Sequence, residues 1–453
     1  MEQTNKLLLR SSPSADLTPE MGLRLGHALA KDHKKVVVGT DLIKSSSMMK
    51  NALISGLISS GADVIDIGIV SAPVAAYAAR MGDCCVYVTE FRQLDLVSGY
   101  LLINSDGGLF GKEQIRHLEG RDLEPLELPD YKSVGSVKKY YKSLSEYNEK
   151  LQGLLKNSTG GTIVLNCNCG MATDSAPQIL NHIGADIISL NAQKDRDFIS
   201  DSLSTKEADI YHMKDLVASD AGSIGISLNR IGTLMKVFNE SGEPLTNTQV
   251  LMIIMLYIKP TKIVMPMDIS SSVVDLFRGR FKIDVKTYYP DPEPEEREII
   301  FTYPDAGNIH KAMLDNHADI GYYDGGFIFS NISQIPDAIH ACMVLAQFSG
   351  NNNIEDSVKK FPQYYSDKRN YKYSCSTADF IRSLNANLPS INPTKVYENS
   401  CWRVEMDGGI FYIELDTETD NSVTVIAESN DKLYLISMLE VIDGLMQSCE
   451  NGQ

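Results

Sequence analysis

The sequence predicts an α/β protein of several domains that finishes in an α+β unit. Three observations lead there. Short apolar runs alternate with helical stretches, the rhythm of β-α-β units, and three such units open at 35–41, 162–170 and 262–267. At 453 residues the chain is too long for one ordinary core and suits two to four domains. Near the end, 409–415 and 422–428 alternate apolar and polar residues at period two, as a half-buried antiparallel pair does.

The elements follow in order. Thr18, Pro19 and Glu20 open a helix running to about Ala30, with proline in its first turn and an acid beside it. Residues 35–41 read as a buried parallel strand, 45–60 as a helix, 63–68 as the next strand and 84–88 as a third. A charged helix-like stretch over 131–150 closes this unit. The second unit has a strand at 162–170, a helix at 175–182 and a strand at 186–192, then a polar connection over 194–205 and a strand at 223–227. The third has a helix at 247–257, the strand 262–267, an acidic loop over 289–298 and a helix at 336–347.

Composition narrows the function. Hydrophobic content of 43% and charged content of 22% are those of a globular protein. A net charge of −17, from 42 Lys+Arg against 59 Asp+Glu, argues against nucleic-acid and anionic-membrane surfaces. No apolar run is long enough to span a bilayer, and the first six residues are no signal peptide. The eight cysteines include no CxxC pair, so buried free thiols in a cytoplasmic protein are expected.

From Met48 through Gly68 and on through 70–73, then at the turn Asn104-Ser105-Asp106-Gly107, the sequence resembles the first domain of the α-D-phosphohexomutases, the phosphomannomutase/phosphoglucomutase family. The likeness continues through 162–192, 223–242 and 318–329. It implies a four-domain architecture, three related α/β domains with mixed sheets plus a C-terminal α+β domain, divided at 1–150, 151–249, 250–360 and 361–453. The four functional loops of the family then fall at 88–99, 225–242, 318–329 and 415–424, and each departs from the pattern. In the phosphoserine loop, Thr89 and Gly99 match, but Phe91 takes the serine, Arg92 the histidine, Gln93 the asparagine and Leu94 the proline. In the metal loop the three aspartates fall on Asn229, Ile231 and Thr233, the arginine on Leu234, and Arg230 brings a positive charge. Magnesium asks for hard, preferably anionic oxygens, so neither it nor any other cofactor is expected.

In the sugar loop the glutamate falls on Tyr322, followed by Tyr323, Asp324 and Gly325; an ordinary half-buried aromatic pair is the plainer reading of the tyrosines. In the phosphate loop the clamp arginines fall on Leu415 and Thr424, with the acidic turn Asp416, Thr417, Glu418, Thr419 and Asp420 between the strands. Arg10 is a possible remnant of the first phosphate contact. Ser98, Thr89 or Tyr100 could substitute as nucleophile, and Lys44 or Arg92 as phosphate contacts. Losing one member of a catalytic set can cost about six orders of magnitude in rate. The expectation is therefore a phosphohexomutase-fold protein that has lost catalysis. It would act through protein contacts or by regulating sugar-phosphate metabolism, as a homodimer or beside an active paralogue. Two alternatives stay open: an intramolecular phosphotransferase with relocated catalytic residues, and a non-catalytic sugar or nucleotide binder.

Overall fold

Apolar side chains on both faces of a strand require cover on both sides, and the first sheet shows this. In the computed structural model, which describes residues 18–93, 95–122, 130–154, 160–196, 207–220, 222–416 and 421–450, Val36, Val38, Val64, Cys84 and Val86 join one core, while Val37, Ile65, Cys85 and Tyr87 join another. The first domain runs α1 (Pro19–Asp32), β1 (Lys35–Thr40), α2 (Lys44–Ser59), β2 (Asp63–Ile69), α3 (Ala72–Ala78), β3 (Cys84–Gln93), β4 (Asp95–Asn104), α4 (Lys112–Asp122), β5 (Val137–Lys139) and α5 (Ser143–Gln152). Its sheet has the order β4-β3-β1-β2-β5, parallel except for the β3–β4 pair.

Two further sheets repeat this plan. The second domain supplies β6 (Thr162–Asn166), α6 (Ala176–His182), β7 (Asp186–Leu190), α7 (Glu207–Ser219), β8 (Ile224–Leu228) and β9 (Met235–Phe238), in sheet order β7-β6-β8-β9. The third supplies α8 (Asn247–Ile258), β10 (Lys262–Pro266), α9 (Ser271–Phe277), β11 (Glu298–Thr302), α10 (Ala306–Asn316), β12 (Ile320–Tyr323), β13 (Gly326–Phe329), α11 (Ala338–Ser349) and α12 (Ile354–Val358), in order β11-β10-β12-β13. Each of these sheets ends in one antiparallel hairpin: β3–β4, β8–β9 or β12–β13. One continuous core, holding Tyr87, Leu165, Ile253 and Phe329 among others, runs through all three.

The last unit differs. β14 (Tyr365–Lys372), α13 (Thr377–Asn387), β15 (Lys395–Glu398), β16 (Cys401–Met406), β17 (Gly409–Asp416), β18 (Ser422–Ser429) and α14 (Lys432–Glu450) form an antiparallel sheet of order β14-β18-β17-β16-β15. Trp402, Phe411, Ile413 and Val425 on one face pack on α13 and α14 in a core of their own. The architecture is thus three mixed α/β sheets and a final antiparallel α+β domain. Among the described residues, no helix is long and apolar enough to cross a membrane.

Several local expectations change. The stretch at 88–99 is a continuing ladder rather than an open loop, with Thr89 facing Gly99, Phe91 facing Val97 and Arg92 facing Leu96. Without the loop proline, and with Thr, Phe and Val along the run, nothing breaks the pairing. The stretch 131–150 contains β5, paired in parallel with β2, before α5 begins. Helix α7 follows the polar connection unannounced, because its apolar side is short and its first residues are charged. Tyr322 and Tyr323 do not form a pair: adjacent strand residues face opposite ways, and Tyr322 joins the large core while Tyr323 packs by Ile309 and Met313.

The strand-end centre and the seam of the fourth sheet

Parallel strands β1 and β3 end side by side, and their carboxyl ends carry the polar groups. The Thr89 hydroxyl donates to Asp41 Oδ2 at 2.6 Å, and the Ile43 amide donates to Asp41 Oδ1 at 3.0 Å. The Thr40 hydroxyl and the Asp41 amide both donate to the Val88 carbonyl at 3.1 Å, tying the two strand ends together. From the second domain, Arg230 brings its Nε to 3.7 Å from Asp41 Oδ2. Thr89, Asp41 and Arg230 are all buried, at 0%, 0% and 4% exposure. A hydroxyl, a carboxylate and a guanidinium therefore meet away from bulk water, where charge interactions are strong.

Arg230 sits in the 229–234 turn of the β8–β9 hairpin, and this turn joins three domains by backbone bonds. The Ala72 amide donates to the Ile231 carbonyl at 3.0 Å, Met171 to Arg230 at 2.7 Å and Ala338 to Gly232 at 3.1 Å. Gly232 has φ +80°, and an added Cβ would meet Ile339 and Ser71 at 3.3 and 3.4 Å. Asn229 organises the turn from within: its Oδ1 accepts the amides of Thr233 at 2.8 Å and Leu234 at 3.1 Å, and its Nδ2 donates to Thr233 Oγ1 at 3.0 Å. Ile231 packs against the large core. These residues do not fit a magnesium ion. The amide oxygen is already spent on the turn, Ile231 has no side-chain donor, and the guanidinium stands against the Asp41 carboxylate. Among the described residues, no group of three or more His, Cys, Asp or Glu side chains could hold a metal ion.

The third and fourth domains meet along a second polar region. Arg403, fully buried, donates through Nη1 to the carbonyls of Met267 at 2.9 Å and Ile269 at 2.7 Å, and stacks on Phe301. Burial lowers its pKa to about 10, against the raising effect of Glu405 and Glu428. Glu428 caps α9, accepting from the Ser270 hydroxyl at 2.6 Å and the Ser271 amide at 2.5 Å. Arg278 pairs with Glu405 at 3.1 Å, and the Tyr303 hydroxyl donates to Glu414 at 3.1 Å. Beside these lies an acidic lip. Asp268, hemmed in by protein although its tip reaches solvent, has its carboxyl pushed up by burial first, then by the charge of Glu414, with Asp324 adding and Arg403 opposing.

The predicted site residues distribute unevenly over these two regions. Thr89 belongs to the strand-end centre. Phe91, Arg92 and Ser98 are placed by their backbone pairing alone. The Tyr100 hydroxyl is spent on the Met49 carbonyl at 3.3 Å, and burial pushes its phenol up. Lys44 opens α2 and is exposed. Asp324 and Gly325, at φ +45° and +78°, form the two-residue turn between β12 and β13, and an added Cβ at Gly325 would meet Asn247 at 2.4 Å. Burial pushes the Tyr322 phenol up to about 12. Asp416 pairs across the ladder with Ser422. Thr424 donates its hydroxyl to Asn370 at 2.8 Å. Arg10, Thr417, Glu418, Thr419 and Asp420 lie outside the described residues. Sequence reasoning passed over Asp41, although an acid at the carboxyl end of a parallel strand is itself a signal. Asp268, Arg403, Glu414 and Glu428 carry no motif that would have marked them.

Comparison with known proteins fits this geometry. Residues 9–122 match the family model of phosphoglucomutase/phosphomannomutase, alpha/beta/alpha domain I. A protein of Methanocella arvoryzae named "Probable phosphoglucosamine mutase" is 27% identical over 446 residues, covering 97% of each chain. One of the same name from Methanococcoides burtonii is 26% identical over 445 residues, 96% of this chain and 97% of that one. A phosphoglucomutase/phosphomannomutase family protein of Burkholderia thailandensis shares the fold at TM-score 0.78 and 17% identity, covering 98% of this chain and 96% of that one. The expectation of a chain that has lost catalysis is corrected by these relatives, since proteins named as mutases align with it from end to end. The departures in its loops are departures at particular positions, within a frame that its relatives share throughout.

Proposed function

The chain belongs to the α-D-phosphohexomutase superfamily, and on that premise we propose that it is a phosphosugar mutase, an isomerase that moves a phosphoryl group between two positions of a phosphorylated amino sugar. The observation that carries this reading is the end-to-end alignment with proteins named as phosphoglucosamine mutases. The acidic lip supports the amino-sugar part: the charges of Glu414 and Asp324 bear on the Asp268 carboxyl, and a ligand ammonium would relieve that repulsion.

The group best placed to carry the phosphoryl is Thr89, because its hydroxyl already donates a hydrogen bond to a carboxylate at 2.6 Å. In the step proposed, Thr89 Oγ1 attacks phosphorus of a sugar bisphosphate, the Oγ–P bond forms and the sugar O–P bond breaks. The hydroxyl proton passes to Asp41 and the electron pair leaves with the sugar oxygen. Both side chains are closed to solvent in this conformation, so the strand ends have to open to the substrate for the transfer.

Interconversion of glucosamine 6-phosphate and glucosamine 1-phosphate, primed with a hexose bisphosphate, tests the activity. Intact mass after priming tests the residue, with one phosphate added to the wild type and none to Thr89→Val. The variant's kcat should fall on the order of a millionfold, the scale of losing a nucleophile. Turnover with an unmodified Thr89 would move the phosphoryl carrier elsewhere; no turnover of either phosphosugar would remove the reading itself.

A further inference from the structure

The turn that serves a metal in the family's pattern here delivers a side chain with a charge of its own. Asn229 spends its oxygen inside the turn, Ile231 faces the core, and between them Arg230 projects to the β1 and β3 ends and faces Asp41 at 3.7 Å. Arginine stays charged at any physiological pH and is weakly hydrated for a cation, so it suits a dry pairing with a carboxylate better than lysine or a divalent ion stripped of water. Its backbone is anchored on both sides, by the Met171 amide on its own carbonyl and the Ala72 amide on the next. Gly170 leaves the room for this, since a Cβ there would stand 2.6 Å from the Arg230 carbonyl oxygen. The charge is therefore held in place by the fold, as a bound ion would be held by ligands.

We propose that Arg230 is the resident cation of this centre: it holds Asp41, and through Asp41 the Thr89 hydroxyl, in a site that works without a divalent metal. Arg230 is in this sense a positioning residue. Only the consequence for turnover rests on the mutase reading above; the preference for a built-in cation is testable on the protein alone.

Thermal melting of the full chain, without any sugar, is compared in magnesium, manganese and EDTA, with calorimetric titration of magnesium alongside. The wild type should melt at one temperature in all three and give no saturable heat. Arg230→Asp removes the cation and sets a carboxylate against Asp41, so its melting temperature should rise by several degrees in magnesium or manganese and fall back in EDTA. A saturable magnesium site in the wild type, or a folded Arg230→Asp protein indifferent to metal, would overturn the proposal. If that variant does not fold, Arg230→Lys and Arg230→Met decide. The lysine variant should keep most of the melting temperature and the methionine variant lose it, whereas equal losses would assign Arg230 to packing alone. Should the wild type prove metal-indifferent yet inactive on both phosphosugars, the mutase reading falls and the built-in cation stands.

Discussion

The seam joining the first three domains and the seam joining the fourth are built from different material. The first is stitched by backbone, with the 229–234 turn exchanging amide–carbonyl bonds with residues 72, 171 and 338. The second is held by side chains: Arg403 on two carbonyls of the third domain, Glu428 on the α9 amide, Arg278 on Glu405 and Tyr303 on Glu414. Backbone bonds survive most substitutions, provided the chain can take the turn. Side-chain bonds fail with a single residue. The first seam should therefore be insensitive to side-chain identity except at its glycine and its few charges, and the second should be sensitive residue by residue.

The largest test of that contrast is Arg403→Met. It removes a buried cation and leaves the Met267 and Ile269 carbonyls without their donor, at an expected cost of about 3–5 kcal/mol. Urea unfolding should show the fourth domain melting first, and a loss under 1 kcal/mol, on the order of an exposed pair, would dissolve the contrast.

The next test uses the ionisable group of the backbone seam. Asp337 caps α11, accepting the His340 amide at 2.9 Å, and takes the Tyr147 hydroxyl on both oxygens at 2.9 and 2.8 Å. Burial pushes its carboxyl up to about 6. With the folded value raised, the native state holds the extra proton, so its contribution is present in acid and is lost as pH rises from 3.8 through about 6. His340 has the opposite sense: burial lowers it to about 3, and its contribution is lost as pH falls from 6.5 towards that value. Relative to Asp337→Asn, the wild type should lose about 3 kcal/mol across the carboxyl window. A flat difference between the two unfolding free energies from acid to neutral pH would refute this. The smallest effect is expected at Gly232→Ala, where a side chain meets φ +80° and two neighbours, costing about 1–2 kcal/mol by equilibrium unfolding. No measurable loss there would mean that the turn can relax.

The contrast also explains what could be read in advance. Strands β1, β2 and β6 and helix α2 announce themselves by their apolar residues, and α8 by its cap as well, where Thr246 and Gln249 form a capping box. The loops did not, because their departures are matters of three-dimensional neighbourhood. Arg230 looked like a stray charge in a failed metal loop, and only the partner domain reveals Asp41 opposite it. The acidic hairpin draws attention through its composition, yet among the described residues Glu405, Glu414 and Glu428, each inside an ordinary strand, are carboxylates that reach the third domain. Local pattern predicts elements; it does not predict which strand end meets which.

Free thiols are spread through the whole architecture: Cys84 and Cys85 in the first sheet, Cys167 and Cys169 in the turn after β6, Cys342 on α11, and Cys401 and Cys449 in the fourth domain, all buried. Burial pushes Cys167 and Cys401 up to about 12 and lifts Cys84, Cys85 and Cys342 as well. A thiol in that condition hardly reacts until its surroundings open. The chain thus carries natural clocks in each of its parts. Timed alkylation under mild denaturant, read peptide by peptide, would date the opening of every domain without a label being introduced, and would show whether the side-chain seam parts before the backbone one.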